Sequence, residues 1–497
     1  MESKKFSILL ILIPLLSTSS IVPSRVTLRI NRSVSVPSSN QGALQFVPLI
    51  QVSPDDNSTL VSTPASCTSP PPVHTSVSFH CYTPSDITDA YGVTELHASG
   101  ITGAGQTIVI VDSYGSPTAL HDLQFFSTTF GLPAPDLTIV NPTGTPAFSN
   151  AQLGIQLGWG EETSLDLQWA HAIAPDAKLV LIEANPAETE GVQGFPSIFA
   201  GEQYAVTHYP GSVMSQSFAV TEQSFCGGSV LATTCAASIN QIAHFERVYQ
   251  QAVTNHVTVL GSSGDSGTAN VEFGAGVHFA PNIPFPTVNW PSSDPLVTSA
   301  GGTWLQFGWT WNPANPTDLS YTTTPGRRTE VVWNEPFLPA ATGGGRSAQF
   351  STPSFQSGIS SSTLQGARGL PDLSWNAAVD GGVLVYTSFP GVRVGWHIIG
   401  GTSASSPQLA GLIALANQER HSLGKQSIGY LNPVLYTLPS GDFNDIVPQT
   451  FNGITIGDNA LFESGIPGMP TTAGWDLTTG FGSPIAGSFV SDLAAKP

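Results

Sequence analysis

Apolar positions along this chain fall into short blocks separated by polar joints rich in glycine and proline. Residues 107–111 and 178–183 are runs of β-branched or leucine-rich character and predict two buried strands. Residues 212–216 and 257–260 are the next candidates, and the second of these follows Ile239–Thr254, where apolar residues recur at helical spacing. Strands that alternate with helices imply an α/β fold with a parallel sheet covered on both faces. No internal repeat is visible. The glycines and prolines between residues 281 and 366 predict long surface loops on one domain rather than a second core.

Composition narrows the partners. The chain has 497 residues and 40% hydrophobic content, enough for one large core. Charged residues make up only 10%, and the formal net charge is -19 with 15 lysines and arginines, which excludes the basic clusters that nucleic acid or anionic membranes require. Few basic residues also mean little self-repulsion once carboxylates protonate, which suits an acidic habitat.

The N-terminus predicts export. Lys4 and Lys5 precede an apolar run over 6–16 and small residues over 17–20, the pattern of a secretory signal peptide at 1–20. That run is too short to cross a bilayer and no later stretch of about 20 apolar residues follows, so no stable membrane anchor is expected. Residues 21–75 are rich in Ser, Pro, Thr and Val, an extended or processing segment, and 76–497 read as one catalytic-sized domain. Cys67, Cys81, Cys226 and Cys235 form an even set in an exported chain and favour disulfides. Three connectivities are open; Cys67 with Cys81 and Cys226 with Cys235 close the shortest loops.

Three segments carry candidate chemistry. Gly400-Gly401-Thr402-Ser403-Ala404-Ser405-Ser406-Pro407 precedes an apolar, small-residue run and reads as a loop that delivers Ser403 to a helix N-terminus, where backbone N–H groups favour developing negative charge. The same segment alone also reads as a serine-rich cap. A serine nucleophile needs a base, and none of the 11 histidines stands in a His-Gly-Thr-His-like segment. Glu162 and Asp166, four apart among Leu165, Leu167, Trp169 and Ile173, share one face of a predicted buried helix; an exposed pair is the plainer alternative. Ser262-Ser263-Gly264-Asp265-Ser266-Gly267 directly follows a predicted strand, where α/β folds place active-site loops.

Taken in order along one chain, these three segments resemble the sedolisins, serine-carboxyl peptidases with a subtilisin-like fold. The resemblance runs from about Tyr82 to Pro484 and includes Tyr91-Gly92-Val93, Arg368 with Pro371-Asp372, and Gly429-Tyr430-Leu431-Asn432-Pro433. It implies a mainly parallel central sheet flanked by helices, with Ser403 as nucleophile, Glu162 as general base and then acid, Asp166 orienting Glu162, and Asp265 as oxyanion donor. The physics agrees, because an imidazole with a pKa of about 6.5 is protonated in acid and accepts no proton, whereas a carboxylate still does. The oxyanion donor has to be a protonated Asp265, since an ionised one repels the charge it must bind.

The resemblance also implies one structural Ca2+ ion near the C-terminus. Asp445 and Asp476 are its side-chain ligands, and Ile446, Thr472 and Gly474 supply main-chain carbonyls, all hard oxygens of the kind calcium takes. Relatives commonly carry glycine where Thr472 stands, tryptophan where Phe218 stands, and a folded prosegment where 21–75 shows no globular pattern. Asp112, after the strand at 107–111, extends the acid pair's network or is a strand-end aspartate. Expected partners are protein or peptide substrates, cut in endopeptidase or tripeptidyl-peptidase mode by a secreted monomer. Rival readings are an aspartic peptidase, which lacks the required repeat of two Asp-Thr/Ser-Gly loops, an inactive scaffold keeping the fold, and a binding module built on the N-terminal arm.

Overall fold

The computed structural model describes residues 28–29, 51–52, 79–148, 153–185, 195–225, 239–270, 283–338, 340–391, 394–462 and 464–497. The expected signal peptide and most of the 21–75 segment lie outside these, as do Cys67, Cys226 and Cys235 and with them the expected disulfide pairing.

The four predicted strands are present with small shifts of boundary, as β1 (Thr107–Ser113), β3 (Lys178–Ala184), β4 (Val213–Gln216) and β5 (Thr258–Ser262), and β2 (Asp136–Val140) is a strand the sequence pattern did not predict. Two long strands follow, β6 (Thr298–Trp311) and β7 (Tyr321–Val332), and then β8 (Leu373–Asn376). The central sheet runs β7-β6-β5-β4-β1-β3-β2, with β8 beside the first half of β6. Every pair is parallel except β6 with β7. A smaller sheet contains β9 (Gly382–Thr387) and β10 (Gly395–Ile399), and Gln51–Val52 pairs with residues 398–399 at its edge.

Alternation along the strands separates two cores. Ile108, Ile110, Leu179 and Leu181 face one side, against helices α3 and α6 below, while Val109, Val111, Val180 and Ile182 face the other. In chain order the main helices are α1 (Pro84–Tyr91), α2 (Ala119–Phe130), α3 (Leu153–Ile173), α4 (Phe195–His208), α5 (Ile239–Thr254), α6 (Thr402–Ser422) and α7 (Ala486–Ala495). Helix α5 buries Ile242, Phe245, Val248, Tyr249 and Ala252, the helical spacing seen in the sequence. Among the described residues no helix is long and apolar enough to cross a membrane.

One expectation is overturned. The 281–366 stretch is not mainly surface loop, because β6 and β7 form a long antiparallel ribbon in it and Trp304, Trp309, Trp311 and Trp333 are buried beneath. Glycine there serves close packing rather than turning: a Cβ on Gly301 would stand 2.5 Å from Pro371, and one on Gly302 would stand 2.7 Å from Ala377.

Candidate active site

The C-terminal ends of β1, β4 and β5 converge on the first turn of α6. Asp112 lies near the end of β1, Ser217 directly follows β4, and Asp265 lies on the turn after β5. That edge is where parallel sheets gather reactive groups.

Ser403 is the second residue of α6, and the helix is buried along most of its length from Thr402 to Asn417. Pro407 sits inside it, four residues on from Ser403, and having no N–H it leaves the Ser403 carbonyl without its usual helical donor. The hydroxyl of Ser217 stands 3.5 Å from that carbonyl. Ser403 Oγ in turn donates to the Ser217 carbonyl at 3.4 Å.

Glu162 and Asp166 occupy one face of α3 and are both buried. Ser217 Oγ donates to Asp166 Oδ1 at 2.8 Å, so this serine stands between the helix that bears the acids and the helix that bears Ser403. Burial holds the Glu162 carboxyl well above its usual range, and the Asp112 charge adds to this; hydrogen bonding from Ser403 and Ser217 works against it. Asp166 is raised for the same reasons, burial first, then the charges of Asp112 and Glu162. Asp112 itself is pushed up to about 7 by burial, against the pull of the Thr163 hydroxyl. These carboxyls titrate as a group, so protons are shared among them rather than owned singly.

Asp265 is half-buried and rests on a turn that only glycine permits. Gly264 has φ +112°, and a Cβ there would stand 2.0 Å from Asn289 Nδ2. Thr402 donates to Asp265 Oδ1 through its backbone N–H at 2.8 Å and its hydroxyl at 2.9 Å, and Gly264 N–H donates to Thr402 Oγ1 at 3.0 Å. Burial pushes Asp265 up to about 7 despite these donors. A cavity of about 70 Å³ opens before Ser403, lined by Asp265, Ser217, Phe218, Val220, Asn270 and Asn289 among others and by no histidine.

No protein-family profile matches the chain. Kumamolisin of Bacillus sp. (strain MN-32) is 32% identical over 416 residues, 81% of this chain and 62% of that one. Sedolisin of Pseudomonas sp. (strain 101) is 29% identical over 399 residues, 78% of this chain and 57% of its own length. The chain belongs to the sedolisin family. It spans about half to six tenths of the length of the curated relatives it matches, among them a tripeptidyl-peptidase of Arthroderma otae. A solved Pseudomonas sedolisin, a serine-carboxyl proteinase complexed with two molecules of pseudo-iodotyrostatin, superposes with TM-score 0.60 at 24% identity, covering 84% of this chain and 98% of that one. The fold is therefore the subtilisin-like α/β fold of the sedolisins.

Within that sedolisin fold, Ser403 and Asp265 line one cavity, and the buried Glu162 is hydrogen-bonded by Ser403 and lies within reach of the charges of Asp112 and Asp265, with Asp166 in turn acted on by Asp112 and Glu162. Ser217 and the double grip of Thr402 were not assigned roles from the sequence. A signal for Ser217 existed: it follows β4 directly and lies two residues past Ser215, which faces α6 and bonds Ser406 at 2.8 Å.

Four of the five expected calcium residues are linked in pairs elsewhere, at the C-terminal loops, and the fifth, Ile446, follows Asp445 in the chain. Gly474 N–H donates to Asp445 Oδ2 at 2.9 Å, and Thr472 N–H donates to Asp476 Oδ2 at 2.9 Å. Asp476 also accepts from Thr478 and Thr479 N–H, each at 2.8 Å. Among the described residues no group of three or more His, Cys, Asp or Glu is placed to hold a metal.

Proposed function

We propose that this protein is a secreted serine-carboxyl peptidase that cleaves protein or peptide substrates in acid. One observation carries the reading: a buried carboxyl, Glu162, is hydrogen-bonded by the Ser403 hydroxyl on a helix N-terminus, with the buried Asp166 one turn along from it and no histidine lining the cavity. A carboxylate still accepts the serine proton where an imidazole is already protonated, and the hydrogen bond from Ser403 favours the ionised form of Glu162 against its burial.

In the mechanism, Ser403 Oγ attacks the scissile carbonyl carbon while Glu162 takes its proton. The carbonyl oxygen gains the negative charge and is bound by the O–H of protonated Asp265 and by backbone N–H at the start of α6. The intermediate collapses, the C–N bond breaks, and Glu162 returns its proton to the leaving amine. Water then attacks the acyl-Ser403 ester with Glu162 again accepting the proton, which goes back to Ser403 Oγ as the acid product leaves. Asp166, fixed by Ser217, orients Glu162 throughout.

The residues of the C-terminal loops fit a calcium ion, because two carboxylates and adjacent carbonyls form a hard-oxygen set and the loop 472–476 already closes on both aspartates. Asp445, Asp476, Ile446, Thr472 and Gly474 would hold it, and the ion would supply a cross-link between distant loops rather than chemistry. The reading also includes export through residues 1–20 and disulfides Cys67–Cys81 and Cys226–Cys235.

The test is covalent. Acid quenching during turnover of a peptide ester should leave an acyl group on the peptide that contains Ser403, detected by mass. An acyl group on another residue, or equal turnover by Ser403→Ala, would refute the assignment.

A further inference from the structure

Glu183 takes no part in the mechanism above, yet its placement is specific. It is the register partner of Asp112 across the parallel pair β1 and β3, following Ile108 opposite Leu179 and Ile110 opposite Leu181. Alternation therefore sends both carboxyls to the face covered by α3 and α6, and strand spacing sets their backbones about 4.8 Å apart. Asp112 is wholly buried, and neither of its oxygens has a well-formed hydrogen bond. Glu183 is differently served. Asn141 Nδ2 donates to its Oε2 at 2.6 Å, and the Ser116 N–H donates to it as well. The turn at Gly115, φ +66°, closes over it so tightly that a Cβ there would stand 2.1 Å from Glu183 Oε1.

Two adjacent carboxyls away from water do not both ionise readily, and the one with hydrogen-bond donors ionises first. Here that is Glu183. The groups that face the pair are Glu162, Asp166 and Thr163 from α3, and Asn141 and Ser116 from the loops after β2 and β1; no lysine, arginine or histidine is among the groups acting on the four carboxyls. We propose that Glu183 is a positioning residue for the acid pair: its carboxylate, fixed beside Asp112, keeps Asp112 protonated and so able to donate a hydrogen bond toward Glu162 and Asp166. A neutral Asp112 satisfies a buried carboxyl whose sole other donor among the described residues is the poorly aligned Thr163 hydroxyl. An ionised Asp112 places a further negative charge beside Glu162, which then holds its proton and no longer serves as base.

This inference rests on the reading of Glu162 as the base. It is tested by the pH dependence of kcat in wild type, Glu183→Gln and Glu183→Asp, with Ser403→Ala as the blank. With the Glu183 charge gone, Asp112 ionises at lower pH, so the alkaline half-point of kcat should fall by about half to one pH unit, and Glu183→Asp should restore most of it. The half-point is independent of how much enzyme is folded. Asn141→Ala, which removes a donor from Glu183 at a half-exposed position, should move it the same way by less. A Glu183→Gln profile superimposable on wild type overturns the proposal, as does an unmoved Asn141→Ala profile should Glu183→Gln not fold. Activity that survives Ser403→Ala overturns the catalytic reading and this one with it.

Discussion

Thr402 holds one oxygen of Asp265 twice, by its backbone N–H at 2.8 Å and by its hydroxyl at 2.9 Å. Both donors fall on Oδ1, so in the neutral acid the proton belongs on Oδ2. Because Thr402 immediately precedes Ser403, the same contact fixes the spacing between Ser403 and Asp265, the proposed nucleophile and oxyanion donor. Replacing Asp265 by Ala should lower kcat by about 10²- to 10³-fold with a smaller change in KM, the loss typical of one oxyanion donor. Steady-state kinetics in acid check it, and a change confined to KM would remove Asp265 from the transition state.

Ser217 carries the second contact, joining helix α3, which bears Glu162 and Asp166, to helix α6, which bears Ser403. Loss of its 2.8 Å bond to Asp166 in Ser217→Ala should reduce kcat by about 10- to 100-fold, the equivalent of a hydrogen bond to a charged group. Full activity in that variant would mean that Asp166 orients Glu162 without help from β4.

Stability should fall as pH rises. Burial raises Asp112, Asp265 and Glu222 to about 7, and Asp294 and Glu335 to about 8. In unfolded chain such groups titrate at about 4, so between about pH 4 and pH 8 the folded protein binds more protons than the unfolded one. Their contribution is complete below about pH 4 and is lost as pH climbs through the folded values. Glu330 acts oppositely: burial works to raise it, but Arg328 at 2.5 Å and bonds from Ser483, Thr303 and Tyr91 outweigh that and hold it low. The raised carboxyls outnumber the lowered ones, Glu330 and Asp318, so Tm should be higher at about pH 4 than at about pH 8. A Tm that rises toward neutrality would contradict the buried-acid picture.

Much of this was legible in the chain. The 107–111 and 178–183 runs became β1 and β3 because apolar residues are wanted on both faces of a covered parallel sheet. The reading failed between 281 and 366, where glycine density hid β6 and β7; Gly301 and Gly302 are there because Pro371, Ser374 and Trp333 pack against the strand, a tertiary fact with no local trace. In the candidate site, the sequence singled out the residues with conspicuous chemistry, Ser403, Glu162, Asp166 and Asp265, but not the residues that hold them. Ser217 and Glu183 look like ordinary strand-end residues until the register sets them beside Asp166 and Asp112.

Chelation probes the C-terminal loops. Since Asp445 and Asp476 meet through residues 472–476, removal of calcium should lower Tm, and restoring calcium should raise it in a concentration-dependent way. Asp476→Ala should be insensitive to chelator. An identical Tm with and without chelator in the wild-type protein would mean that the loop bonds alone close this region.

The central claim is that a carboxylate does the work of a histidine. The most direct measurement is hydrolysis of a denatured protein from about pH 2 to about pH 8 by wild type and Glu162→Gln, with folding of both verified by thermal melting. Activity in wild type confined to acid, and lost by several orders of magnitude in Glu162→Gln across the whole range, is the predicted result. Substantial wild-type activity at neutral pH, or a Glu162→Gln enzyme that still turns over, would contradict it.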